Sequence, residues 1–289
     1  MAATASSVRN FVGEKLYQVR ARQALPILVR QATSEQSLNY EKLADELGMP
    51  NPRNLNWVLG SVGVSLNELS AKRGWRNRPV PHIQSLVINK NTGLPGSGFD
   101  GFLAKRTGEY KRLSKDQKRA YLKSYWNDIF AYPHWGEVLE AFELEPAMAN
   151  NIDLIAKART GTGRGGGEGP QHLALKKYIS NNPGAVGLPT AFGVGTMEVN
   201  LPSGDRIDVL FESPDRRFAV EVKSEISNNV DIVRGLFQCV KYRAVLKAER
   251  GSISGRYKVD AVLVLGCSFP SSINALRNSL GVRVIEVVL

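Results

Sequence analysis

The run Thr160-Gly-Thr-Gly-Arg-Gly-Gly-Gly-Glu-Gly-Pro170 divides this chain, because no helix or strand tolerates glycine at that density for long. Its glycines invite comparison with a phosphate loop, but it lacks the Gly-Lys-Ser/Thr ending of one and reads as a linker. Ahead of it the apolar residues recur at helical spacing. Behind it they alternate in short runs, as strands do.

In the first part, Val12, Leu16, Val19, Ala24, Leu25, Leu28 and Val29 predict a helix over Val8–Gln31, broken or kinked at Pro26. Tyr40–Gly48 reads as a short amphipathic helix stopped by glycine. A second follows over Asn51–Gly60, with Asn51 as N-cap and Pro52 at the first helical position. Two short helices around a glycine turn fit a helix-turn-helix, and equally an ordinary helical hairpin. Arg53, Asn54 and Asn56 in the early turns of the second helix tip the balance towards DNA, since guanidinium and amide groups suit base edges and phosphates. Gln84–Lys90 then reads as a strand and Asn91–Gly98 as a turn, which would form a wing with Lys90 facing DNA. The segments Tyr40–Gly48, Asn51–Gly60, Pro81–Ile88 and Gly93–Phe99 resemble the DNA-binding domain of alkylguanine-DNA alkyltransferases and alkyltransferase-like proteins. That family carries Pro-Cys-His-Arg where this chain has Pro81-His82-Ile83-Gln84, so the resemblance implies a winged helix for DNA contact without alkyl transfer.

Lys105 to Lys123 holds eight Lys/Arg against Glu109 and Asp116, interleaved with Tyr110 and Tyr121. Such a run is a solvated helix face that is able to track a nucleic-acid backbone, although its tyrosines serve the core more often than they stack on bases. Residues 1–150 carry 20 Lys/Arg against 14 Asp/Glu, a net of +6, and the remainder 18 against 13, a net of +5. An excess shared by both halves fits a polyanionic partner, nucleic acid first. No apolar run spans a bilayer and the N-terminus has no apolar signal core, so a cytoplasmic protein with no membrane partner is expected. Cys239 and Cys267 sit in apolar stretches as expected buried thiols. With three scattered histidines they form no zinc spacing.

Behind the linker the reading is helix (Gln171–Ile179), strand (Gly195–Leu201), strand (Arg206–Phe211), strand (Phe218–Lys223), helix (Asn229–Arg250), strand (Val259–Leu265), helix (Pro270–Leu280) and strand (Val282–Leu289). Asp208 interrupts the second strand, and Glu221 and Lys223 the third. Residues two apart share a strand face, so Glu221 and Lys223 project together, and hairpin pairing would bring Asp208 beside Glu221. Taken alone, Glu-x-Lys is most simply a surface ion pair. Two carboxylates and an ammonium on an apolar hairpin are instead explained by Mg²⁺, with Mn²⁺ able to substitute, held by oxygen ligands.

Asp208, twelve further residues and then Glu221-Val222-Lys223, set between a helix and a long helix, resemble the PD-(D/E)xK nuclease superfamily. Ile207 stands where that family often has proline. The resemblance implies Asp208 and Glu221 as metal ligands with the Val222 carbonyl, and Lys223 orienting or deprotonating water or stabilising the transition state. It also implies a further carboxylate, Glu168, with Glu198 as competing choice. Gln238-Cys-Val-Lys-Tyr242 fits the Gln-x-x-x-Tyr pattern of the RecB-like branch, where both side chains reach a phosphate or the catalytic lysine.

The expectation is an α/β protein. Residues 1–103 would form a mainly helical, winged-helix-like DNA-binding domain, 104–156 a basic helical connector and 157–170 the linker. Residues 171–289 would be a restriction-endonuclease-like mixed sheet flanked by helices. Its activity would be Mg²⁺-dependent hydrolysis of double-stranded DNA in restriction, defence or repair, with a possible homodimer. The alternatives are a non-catalytic nucleic-acid-binding protein with a degenerate nuclease fold, and an RNA-directed nuclease.

Overall fold

A computed structural model describes residues 8–73, 79–147, 151–160, 169–252 and 257–289. The chain is mixed helix and sheet and forms two compact units, Met1–Met148 and Ala149–Leu289.

In the first unit, α1 (Leu16–Thr33) buries Ala21, Ala24, Leu25, Leu28 and Ala32 at steps of three and four, and runs through Pro26. It starts later than the apolar spacing predicts. Gly13 sits at φ 139°, a conformation outside any right-handed helix, and Val12 and Leu16 are exposed. A two-residue β1 (Leu38–Asn39) leads into α2 (Tyr40–Glu46), whose first turn is capped by the Asn39 side chain accepting from the Lys42 N–H. Asn51 likewise accepts from the Arg53 N–H, and a 3₁₀ turn at Pro52–Asn54 opens α3 (Leu55–Lys72), which packs on α1.

The strand expected over Gln84–Lys90 does not form at that length. Ile83–Leu86 is a 3₁₀ turn with all four residues buried, a demand that a half-exposed alternating strand does not meet. Only β2 (Val87–Ile88) pairs, in parallel with β1. The segment read as a wing is therefore a turn, with Gly93 at φ 67° and Asn89 accepting from the Asn91 and Thr92 N–H groups. The rest of the unit is α4 (Thr107–Arg112), α5 (Lys115–Phe130) and α6 (Trp135–Ala141). Lys115, Arg119 and Lys123 are exposed, whereas Tyr110 is buried and the Tyr125 hydroxyl accepts from the His82 N–H at 2.9 Å. These two tyrosines thus serve the core.

The second unit begins with α7 (Ile152–Thr160), followed by α8 (Pro170–Asn181) with proline at its first position. A five-stranded sheet has the order β3 (Thr196–Asn200), β4 (Arg206–Ser213), β5 (Arg216–Lys223), β6 (Lys258–Leu265) and β7 (Arg283–Glu286). The first three strands are antiparallel and the last three parallel. Between them lie α9 (Asn229–Ser252), which crosses from β5 to β6, and α10 (Asn274–Ser279), which crosses from β6 to β7. Alternation along the strands supplies two cores. Phe218, Val220, Val222, Val262 and Val264 face Leu175 and Ile179 of α8. Ala219, Ala261, Leu263 and Leu265 face Leu236 and Leu246 of α9. Cys239 is buried in the second core and Cys267 half-buried, both as free thiols. No helix among the described residues is long and apolar enough to cross a membrane.

Candidate active site

The β4–β5 hairpin pairs from Ser213↔Arg216 up to Val209↔Val220. Beyond that point the Val222 N–H is taken by the Asp208 carboxylate, at 2.8 Å from Oδ2. A side chain thus replaces the ladder at this end of the hairpin.

The three residues picked out by sequence lie at this end of the hairpin, all largely buried. Lys223 Nζ donates to Glu221 Oε1 at 2.6 Å, and Gln238 Oε1 lies 3.4 Å from the same ammonium. Glu221 is 2% exposed, and its other oxygen lies 2.7 Å from the Tyr242 hydroxyl, which is also 2.7 Å from the Arg206 carbonyl. Gly235, Gln238 and Tyr242 fall at i, i+3 and i+7 of α9, one face of a helix. Gly235 makes the approach possible, because a Cβ there would stand 2.8 Å from Leu263 Cδ1 and 3.2 Å from Lys223 Cε. Gln238 therefore reaches the lysine as expected. Tyr242 is fully buried, so its hydroxyl serves Glu221 and not a DNA-facing surface.

From the other side α8 contributes two residues that the sequence patterns did not mark as site members. His172 Nε2 lies 3.8 Å from Asp208 Oδ1, and Lys176 Nζ lies 3.3 Å from the same oxygen. Lys176 is 0% exposed and also pairs with Glu198. Between the cross-strand pairs Met197↔Val209 and Val199↔Ile207, Glu198 stands opposite Asp208. Its backbone is held at φ 58°, and its other oxygen meets Arg206. The available signal was the i, i+4 spacing of His172 and Lys176 on a helix whose apolar stripe the lysine enters. Glu168, the first choice for a further carboxylate, lies outside the described residues.

The electrostatics separate the two central acids. Burial pushes the Glu221 carboxyl up to about 7, against the opposing pull of Lys223. Burial would raise Asp208 too, but His172, the Val222 N–H and the ammoniums of Lys176 and Lys223 together hold it below its ordinary value. Lys223 is desolvated, which lowers it, yet the adjoining Glu221 wins and keeps it above the usual lysine value.

Among the described residues no three His, Cys, Asp or Glu side chains gather as a ready metal cluster. The donor types still suit a hard divalent ion: the carboxylates of Asp208 and Glu221 flank the Val222 main chain, with Lys176 and the Val222 N–H on the first and Lys223 and Tyr242 on the second, and with His172 beside Asp208. The cost that burial imposes on ionising Glu221 is the kind a cation relieves.

In the first unit, Arg53, Asn54 and Asn56 are exposed at the start of α3. Arg53 and Asn56 line a cavity of about 550 Å³ together with Tyr40, Gln84, Phe99 and Phe102. Lys90 lies on a separate segment, 3.3 Å from Glu41. Comparison of the chain with protein-family models, curated proteins and solved structures finds no match.

Proposed function

We propose that the second unit is a divalent-cation-dependent deoxyribonuclease with a restriction-endonuclease-like fold, and that the first unit delivers it to double-stranded DNA. The observation that carries this reading is the convergence of Asp208, Glu221 and Lys223 at the end of one hairpin, with Gln238 and Tyr242 of α9 holding the last two. The α-β-β-β-α-β-α-β order around that hairpin supports it.

Asp208 and Glu221 would hold Mg²⁺ or Mn²⁺, with the Val222 carbonyl and His172 as further donors. The ion would lower the pKa of bound water and offset charge building on the scissile phosphate. Lys223 stays an ammonium beside Glu221, so it acts as a hydrogen-bond donor to the phosphate or water. Gln238 and Glu221 fix its direction, and Tyr242 fixes Glu221 from behind. Arg53, Asn54 and Asn56 would meet phosphates or base edges, with Lys90 at the adjoining turn and the exposed lysines of α5 adding backbone contacts. A reader tethered to a cutter fits restriction, defence against foreign DNA or repair, and cutting of both strands would suit a homodimer.

One observation favours a second reading, a DNA-binding protein that does not cut. Lys176 already neutralises Asp208 without any divalent ion. Parallel digestion of supercoiled DNA, linear DNA, single strands and RNA with Mg²⁺, Mn²⁺ or EDTA separates the readings. The nuclease reading expects metal-dependent cutting of DNA in preference to RNA. Binding without cutting of any substrate supports the second reading, and preferential RNA cleavage would move the substrate class.

A further inference from the structure

Lys176 is an unusual group to find against a candidate metal ligand. Its ammonium is wholly buried, reaches Asp208 Oδ1 at 3.3 Å and pairs with Glu198. A buried ammonium persists only where carboxylates compensate it, and here two do. Glu198 is fixed in that position. Its backbone adopts φ 58°, which side-chain-bearing residues seldom do, and the Arg206 guanidinium lies beside its second oxygen as an ion pair, without a hydrogen bond. Asp208 and Glu198 face each other across β3 and β4, so two carboxylate oxygens converge on one cation, and that cation belongs to the chain.

Phosphodiester-cleaving sites with two metal ions place them close together, clamping the attacking and leaving oxygens. In this site the carboxylate best placed to join two ions is Asp208, and its Oδ1 is engaged by Lys176. The charge balance points the same way. With a divalent ion on Glu221, Asp208, Glu198 and Glu221 would carry three negative charges, against three positive ones on Lys176, Lys223 and Arg206. One divalent ion with one phosphate then leaves a formal +1, whereas two ions would leave +3.

We propose that Lys176 is a built-in cation that occupies the Asp208–Glu198 oxygens and restricts the site to a single divalent ion. This rests on the nuclease reading and makes Lys176 a positioning residue for Asp208. It predicts a site that works with one ion held by Asp208 and Glu221, with the Lys176 ammonium supplying the fixed positive charge that a second ion supplies elsewhere.

The test counts ions and needs no turnover. Metal-free protein is titrated with Mn²⁺, and free Mn²⁺ is read by electron paramagnetic resonance. The expected counts are one ion per chain for the wild type, none for Asp208→Asn, one for Lys176→Arg and two for Lys176→Met, which keeps the side-chain volume. A count of one in a folded Lys176→Met overturns the proposal. Two ions in the wild type, both lost in Asp208→Asn, overturn it whether or not Lys176→Met folds, and leave the nuclease reading standing. No Mn²⁺ bound by the wild type overturns both.

Discussion

Glu221 is where burial and function conflict most sharply. The Tyr242 hydroxyl has one proton and lies 2.7 Å from both Glu221 Oε2 and the Arg206 carbonyl. The hydroxyl donates towards both oxygens, and its hydrogen bond to Glu221 favours the carboxylate. Burial outweighs that pull and raises the Glu221 carboxyl to about 7. A folded-state value above the ordinary one means that the native protein binds more protons than the unfolded chain between those two pH values. In the absence of metal, stability therefore falls as pH rises across that window. Glu221→Gln removes the ionisation, so without divalent ions it should gain stability over the wild type at pH 8, by up to roughly 3 kcal/mol, and much less at pH 4.5. Urea unfolding in EDTA at the two pH values measures this. A constant difference would mean that Glu221 is ionised throughout. Asp208 and Glu221 were legible as candidate site residues because each interrupts an apolar strand. Lys176 and His172 were not, since a lysine or histidine on a helix is ordinarily a surface residue and only the packing of α8 on the sheet shows otherwise.

At the scale of elements, the strands of the second unit were readable because their two faces bury different residues, so period-two alternation survives in the sequence. The end of the hairpin ladder was not readable. It depends on Asp208 accepting the Val222 N–H in place of a ladder bond, which no pattern of apolar residues encodes. In the first unit the error at Gln84–Leu86 has a related origin. Ile83, Leu86 and Val87 have the composition of a strand, but Ile83–Leu86 folds as a buried 3₁₀ turn, which composition alone does not distinguish from a short buried strand. Helix α9 locates Lys223 through an absence of side chain at Gly235. Glycine in mid-helix costs about 1 kcal/mol relative to alanine, so Gly235→Ala should regain about that much against the roughly 1–3 kcal/mol that crowding Leu263 costs. A Cβ pressing on Lys223 should nevertheless lower kcat by roughly tenfold or more, with little change in KM for DNA. Unchanged kcat would show that α9 does not position the lysine.

For the whole molecule, the division into two compact units falls at Met148/Ala149, and α7 belongs with the second unit. The linker expected over 157–170 begins inside that helix and takes in its last four residues, because a glycine run signals where regular structure stops only to within a turn and not which core the preceding helix joins. Both units carry an excess of positive charge, +6 and +5. Each has its own core, so residues 149–289 should fold alone and retain metal-dependent nicking. Loss of the first unit should weaken DNA binding by about tenfold or more near physiological salt and reduce the dependence of affinity on salt. Gel-shift titrations at two salt concentrations check this, and equal affinity for the full chain and the isolated unit would remove the first unit from DNA recognition.

Asp208, Glu221 and Lys223 are proposed to act together as a hydrolytic site. The most direct test is nicking of supercoiled plasmid in Mn²⁺ by the wild type and by Lys223→Ala, with DNA binding measured on the same preparations. A hydrolytic site of this kind predicts metal-dependent nicking by the wild type, and a loss of about a hundredfold or more in the variant while binding persists. Equal nicking by the two proteins, or none by a wild type that binds the plasmid, would contradict it.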